Sequence, residues 1–295
     1  MIDIPGGRFV MGSNTYYPEE SPLTERNVSA FSISSAPVTN GDYARFVSET
    51  GYVTVAERPL DPEAYPGVHP DDLVPGSLVF VRTQGPVDLA NPGHWWRFVA
   101  GACWQHPEGP DSSIAARLDH PVVQVAYEDA EAYADWADQS LPTEAQWEWA
   151  CRAGEPGEFI WGDHERPEEM ANIWQGRFPF ENTSRFQGTS PIGSYPANAW
   201  ALSDMIGNVW EWTADWWQDV RTEGGSDPGC CGPDGSYDPL QPDIMIPRKV
   251  LKGGSHLCAA SYCLRYRPAA RIPQMVDSAT SHIGFRCVAN PGAAA

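Results

Sequence analysis

The sequence predicts an α+β domain, rich in loops and low in regular secondary structure. Three observations carry that reading. The 295 residues include 27 glycines and 28 prolines, nearly a fifth of the chain, with no collagen-like period or low-complexity tract, so the excess belongs to turns. Only two or three stretches show the three-and-four spacing of an amphipathic helix. Short runs of strand type, bounded by turn residues, fill much of the remainder. An apolar fraction of 42% is enough for a packed core. With no internal repeat, linker tract or composition shift, a single domain over residues 1–295 is expected.

The elements follow in order. Gly7–Gly12 and Val28–Ile33 read as strands on either side of a polar turn region, Tyr16–Glu25. A helix is expected after Thr39 or Asn40, with Tyr43, Phe46 and Val47 on one face and Gly51 at its end. Residues 52–118 carry many prolines and little periodicity, so they read as an ordered loop layer with short strands such as Leu78–Arg82. Trp95, Trp96 and Trp104 would pack that layer down. Tyr127, Ala130, Tyr133, Ala134 and Ala137 place an apolar stripe on a helix over Tyr127–Asp138. Thr143 and Gln146 have capping-box spacing, which starts a helix through Trp147, Ala150 and Cys151 that Gly154 would stop. From Gly162 onward, loops, short strands and aromatics return.

Charge and hydropathy exclude several classes. Against 39 acidic residues stand 19 basic ones, a net charge of −20, the wrong sign for a nucleic-acid surface. It suits a cationic partner or simple solubility. No apolar run approaches the length of a membrane span, and the first residues, Met1–Ser13, lack the basic and apolar regions of a leader. A cytoplasmic protein is the expectation.

The seven cysteines are too few for a disulfide scaffold, and their odd number leaves at least one unpaired within the chain. Cys151 and Cys287 sit among apolar residues and read as buried thiols; Cys103 has no ligand-like surroundings, and Cys230–Cys231 lie in a Gly/Pro/Asp loop. Cys258 and Cys263 differ. A glycine pair, Gly253–Gly254, precedes them, and five residues of loop separation let the thiols face each other. Soft thiolates favour Cu(I), zinc or iron–sulfur centres. Zinc usually takes four ligands, and no second pair supplies them. A two-thiolate Cu(I) site and a redox-active disulfide both remain. His256 is a further candidate ligand or a plain loop histidine, while Arg265 and Arg267 either hold thiolates ionised or pair with acids. Asp204 and Glu211 bracket a glycine turn in Asp204–Trp212 and, with backbone carbonyls, offer oxygen donors for a hard cation.

Taken together, the chain resembles the formylglycine-generating enzymes, or sulfatase-modifying factor enzymes, particularly bacterial cytosolic members. The resemblance runs from Ile4–Ser13 and Pro37–Asn40 through Trp104–Pro110, His120–Val122, Leu141–Glu148 and Asn172–Gly176. It continues in Gly207–Trp212, Gly253–Cys263 and Gly284–Cys287. Several of these blocks belong to a wider superfamily with other functions. Ser255, Cys258 and Cys263 are what match the formylglycine branch.

The resemblance implies a C-type-lectin-like fold and an O₂-using oxidase. It would convert the cysteine of a Cys-x-Pro-x-Arg segment, in a nascent or unfolded sulfatase, to Cα-formylglycine. Cys258 and Cys263 would hold Cu(I), with the substrate thiol as a third ligand and an external reductant. Cys263 would be the more buried ligand and Cys258 the more exposed. Ser255 would act beside the substrate thiol or the oxygen, and Trp210 would wall the pocket. One calcium is expected at Asp204, Glu211 and the Gly207 and Val209 carbonyls. A second would use Asn172 with the Ile173 and Phe186 carbonyls, but its usual carboxylate is missing and Arg185 lies nearby. The positions of two disulfide partners known in secreted relatives are Ala134 and Pro268, leaving Cys151 and Cys287 unpaired. No nucleic acid, no membrane and a monomer complete the expectation. A thiol–disulfide oxidoreductase and a non-catalytic peptide-binding module on the same fold are the alternatives.

Overall fold

Thr39 begins the first helix as its side chain accepts the Asp42 amide while Asp42 reaches back to the Thr39 amide, a reciprocal cap worth roughly 1 kcal/mol. Helix α1 spans Asn40–Thr50 and ends on Gly51 with φ 69°. Helix α2 spans Tyr127–Trp136, two residues short of the expected end, because Asp138 turns into the left-handed region at φ 53°. Helix α3, Glu144–Arg152, starts on the Thr143–Gln146 box and stops at Ala153 (φ 49°), one residue before Gly154. These features belong to a computed structural model describing residues 1–63, 65, 67–69, 73–162, 166–219 and 233–289. Cys230 and Cys231 lie outside the described residues.

Strands are short. They are β1 (Ile2–Ile4), β2 (Gly7–Met11), β3 (Thr24–Val28), β4 (Phe31–Ile33), β5 (Gly76–Phe80), β6 (Trp96–Ala100) and β7 (Gln139–Ser140). In the last third come β8 (Trp210–Trp216), β9 (Arg248–Lys252), β10 (Arg271–Met275), β11 (Ile283–Gly284) and β12 (Val288–Ala289). One sheet has the order β1-β4-β12-β7 and another β10-β9-β8-β11; β2-β3 and β5-β6 form separate two-stranded ribbons. The loop-rich α+β expectation holds, and Trp95 and Trp104 pack down as expected, each 2% exposed.

The expected Val28–Ile33 strand is instead two. Val28 pairs with Gly7 in the β2-β3 ribbon, whereas Phe31 pairs with Ile4 in the first sheet. Their partner breaks in the same place, at Pro5–Gly6, where proline has no amide for a ladder and a Cβ on Gly6 would lie 2.9 Å from the Ala30 nitrogen.

The main core joins α1, α2, α3 and both four-stranded sheets. Tyr43, Phe46, Tyr133 and Phe285 interlock, with the Tyr43 and Tyr133 rings stacked at 5.8 Å and Phe285 edge-on to Tyr133 at 5.3 Å. Each such pair adds about 1 kcal/mol beyond burial. A smaller cluster of Trp95, Trp174, Phe178, Leu257 and Ala259 lies under the loop that follows β9. That loop carries the site.

Candidate functional site

Strand β9 delivers the chain to Gly253 (φ 96°) and Gly254 (φ 72°). A Cβ on Gly253 would lie 3.0 Å from the Met205 carbonyl and the Trp147 ring, and one on Gly254 2.8 Å from the Arg265 carbonyl. Both positions therefore need glycine for conformation and for room. Beyond them the Cys258 amide donates to the Ser255 carbonyl at 2.9 Å, and the Cys263 amide to the Ala259 carbonyl at 2.7 Å. Two successive tight turns fold the loop on itself. The Cys258 and Cys263 sulfurs end 3.3 Å apart, well beyond the roughly 2.05 Å of a disulfide.

The two thiols have unlike surroundings. Cys258 is 2% exposed, while Cys263 is only partly buried. This reverses the burial expected from the family resemblance: Cys258 belongs to the main core, and Cys263 packs against it from nearer the surface. Burial, then the Cys263 contact, pushes the Cys258 thiol well up. The Cys258 hydrogen bond, followed by the Arg265 guanidinium, outweighs burial at Cys263 and lowers it to about 7. The pair thus retains one proton and favours a thiolate at Cys263.

Residues far away in sequence hold this arrangement. Arg265 pairs with Glu19 at 2.6 Å and lies over the Tyr17 ring at 3.7 Å. The Tyr17 hydroxyl accepts the Leu264 amide at 3.0 Å. Arg267 is fully buried against Glu20 and stacks on Tyr16, so of its two expected roles it takes ion pairing. Tyr16, Tyr17, Glu19 and Glu20 were not singled out from sequence. They lie in the polar turn region and nothing local links them to a loop some 246 residues away.

Ser255 is fully buried. Its amide donates to the Cys258 sulfur at 3.4 Å, while its hydroxyl accepts the Leu257 amide at 3.2 Å. Its documented contact with the thiol is thus through the backbone. Trp210, 2% exposed, shares the main core with Cys258. His256 spends Nδ1 on the Asn208 carbonyl at 2.9 Å, and burial lowers it to about 4. It braces the loop as a neutral side chain.

At the expected 204–211 calcium site, the carboxylates already have protein partners. Both Glu211 oxygens accept from Arg286, at 2.7 and 2.8 Å, and Oε2 also accepts the Trp147 indole at 2.8 Å. Asp204 accepts the Gly193 amide at 2.7 Å and the Asn208 side chain at 3.3 Å. A guanidinium thus faces both Glu211 oxygens, and Oε1 keeps further acceptor capacity. At the other expected site, Asn172 Oδ1 is buried without a partner, but the Ile173 carbonyl accepts the Ser184 hydroxyl at 3.0 Å and Arg185 lies over the Phe186 ring. Among the described residues, no group of three His, Cys, Asp or Glu side chains gathers to hold a metal.

Comparison with known proteins matches this geometry to a family. The profile of the sulfatase-modifying factor enzyme 1-like domain matches residues 1–291. The chain is 55% identical to a formylglycine-generating enzyme from Mycobacterium tuberculosis, over 99% of this chain and 98% of that protein. It is 36% identical to the mouse protein called inactive C-alpha-formylglycine-generating enzyme 2, over 99% and 86%. Among solved structures, PvdO from Pseudomonas aeruginosa aligns with a TM-score of 0.65 at 23% identity, covering 97% of this chain and 92% of that one. That last likeness establishes the shared fold.

Proposed function

The chain belongs to the sulfatase-modifying factor family, and we propose that Cys258 and Cys263 are the thiolates through which it acts as a copper-dependent oxidase. It is a formylglycine-generating enzyme: a cysteine in a sulfatase-type substrate becomes Cα-formylglycine. The observation that supports assigning the site is the 3.3 Å approach of two sulfurs in a loop fixed by Gly253 and Gly254.

The donor set fits copper(I). Two adjacent soft sulfurs are present, one already inclined to ionise, while His256 is engaged elsewhere. Copper(I), when bound there, supplies an electron-rich ion for reaction with O₂, which closed-shell thiols alone perform poorly. The chain's own groups prepare the site. Arg265 favours the Cys263 thiolate, and Glu19 orients the guanidinium. The Ser255 amide directs a donor at Cys258, and burial of Cys258 in the main core keeps water from that sulfur. The proton retained by the pair must leave before both sulfurs can act as thiolates.

The proposed substrate is a nascent or unfolded sulfatase segment, Cys-x-Pro-x-Arg, whose arginine suits a chain of net charge −20. An external reductant supplies electrons beyond those of the substrate thiol. A bacterial cytosolic member is the reading favoured by buried, unpaired Cys151 and Cys287, acting as a monomer without nucleic acid or membrane. Among the described residues no helix is long and apolar enough to cross a membrane.

The test is copper titration of the metal-stripped, reduced protein. Peptide oxidation should rise to a plateau at one copper per chain in the wild type and remain at background in Cys258→Ser and Cys263→Ser. Unchanged activity in either variant, with native folding, would contradict the assignment.

A further inference from the structure

Away from the cysteine loop, β9 presents an amine that the oxidation reaction does not use. The chain has two lysines, Lys249 and Lys252, both in this strand. Lys252 is fully buried between Glu148 and Glu144, at 2.9 and 3.6 Å. Lys249 makes no ion pair among the described residues. Its Nζ donates to the Ala214 carbonyl at 2.6 Å and lies over the Trp216 and Tyr127 rings at 3.6 and 4.6 Å. Lys249 also lines a cavity of about 610 Å³ together with those two aromatics.

We propose that Lys249 and this aromatic cavity form a second site, which takes a neutral aromatic aldehyde as a reversible imine. The chemistry is balanced without an oxidant or cofactor: the neutral amine nitrogen attacks the carbonyl carbon, the C=N bond forms, and the carbonyl oxygen leaves as water. Ala214 accepts one N–H and leaves the nitrogen lone pair for bonding. Desolvation lowers Lys249 to about 8, outweighing the opposing influence of Glu131 and Asp215, so neutral amine is available near neutrality. The cavity also selects by charge. Glu131, Asp61 and Asp277 line it, the last accepting the Tyr65 hydroxyl, and Arg58 is already paired with Glu128 at 2.7 Å; an anionic aldehyde meets these carboxylates.

Benzaldehyde and pyridoxal 5′-phosphate, each added to the intact wild-type protein and reduced with cyanoborohydride, provide the test. Peptide mass spectrometry should find benzyl on Lys249, saturating with dose and at least tenfold above Lys252. Pyridoxal phosphate should label Lys249 at least fivefold less. Val276→Trp, which fills the wall while retaining the amine, should reduce benzyl labelling several-fold at unchanged peptide-oxidation activity. Labelling confined to the Met1 amine, unsaturable labelling of Lys249, or equal labelling by both aldehydes would overturn the proposal. If Val276→Trp misfolds, the wild-type dose curve and aldehyde comparison still decide it.

Discussion

Glu19 and Arg265 meet at 2.6 Å across nearly the whole length of the chain. Their contact joins the turn after β2 to the end of the cysteine loop and places a guanidinium where it favours the Cys263 thiolate. The reactive loop is therefore not self-sufficient. Its electrostatics depend on an amino-terminal segment that carries no metal-like motif.

Replacing Arg265 with Gln should raise the Cys263 pKa by about one unit, the usual scale for loss of a close opposite charge. At pH 6.5, the initial iodoacetamide rate should fall roughly three- to tenfold. A rate equal to wild type, with labelling mapped to Cys263, would separate Arg265 from thiolate control.

The pH profile of the native pair gives a second prediction. Below about pH 7 Cys263 is mainly a thiol; above it, the thiolate dominates, while Cys258 remains protonated. Alkylation of the metal-free enzyme should consequently rise through pH 7 and modify Cys263 first. Mapping the first adduct to Cys258, or finding a midpoint near 9, would contradict the described electrostatics.

The Glu211–Arg286 pair is fully buried. Glu211→Gln should destabilise the fold by roughly 3–5 kcal/mol in urea unfolding, because it leaves Arg286 without charge compensation. Glu211→Gln combined with Arg286→Met should recover part of that loss. A double-variant loss equal to the sum of the two single losses would mean that the two charges act independently.

Two buried histidines bear on acid stability. Burial lowers His256 to about 4 and His282 to about 3. Each resists the proton that the unfolded chain takes up near pH 6.5, so its contribution is complete above 6.5 and is lost on acidification towards the folded value. Between pH 6.5 and 5 each should cost about 2 kcal/mol. His282→Asn should reduce the pH dependence of urea unfolding over that window. An unchanged slope would remove His282 from the account.

Much of the local architecture is legible because short-range chemistry determines it. Thr39 with Asp42, and Thr143 with Gln146, announce two helix starts through caps only three residues long. The Gly253–Gly254 turn and the Cys258–Cys263 spacing likewise announce a loop that brings the two sulfurs together. The division between Val28 and Phe31 is less visible, since the two strands belong to different sheets and their partner breaks at Pro5–Gly6. Glu211 has a partner that local pattern does not reveal. Arg286, two residues beyond the Gly284 that pairs with Glu211 across β11 and β8, donates to both its oxygens, a contact set by strand pairing rather than by the glycine turn. Relative burial of Cys258 and Cys263 is similarly a property of the core beneath them, which five residues of loop sequence do not specify.

The central claim is tested most directly by weighing a Cys-x-Pro-x-Arg peptide after incubation with the reduced enzyme, O₂ and copper(I), beside an arm containing a copper chelator. The account predicts loss of sulfur and two hydrogens with gain of one oxygen at the peptide cysteine, in the copper arm and not in the chelated one. A peptide of unchanged mass in both arms, or a disulfide formed equally well in both, would contradict it.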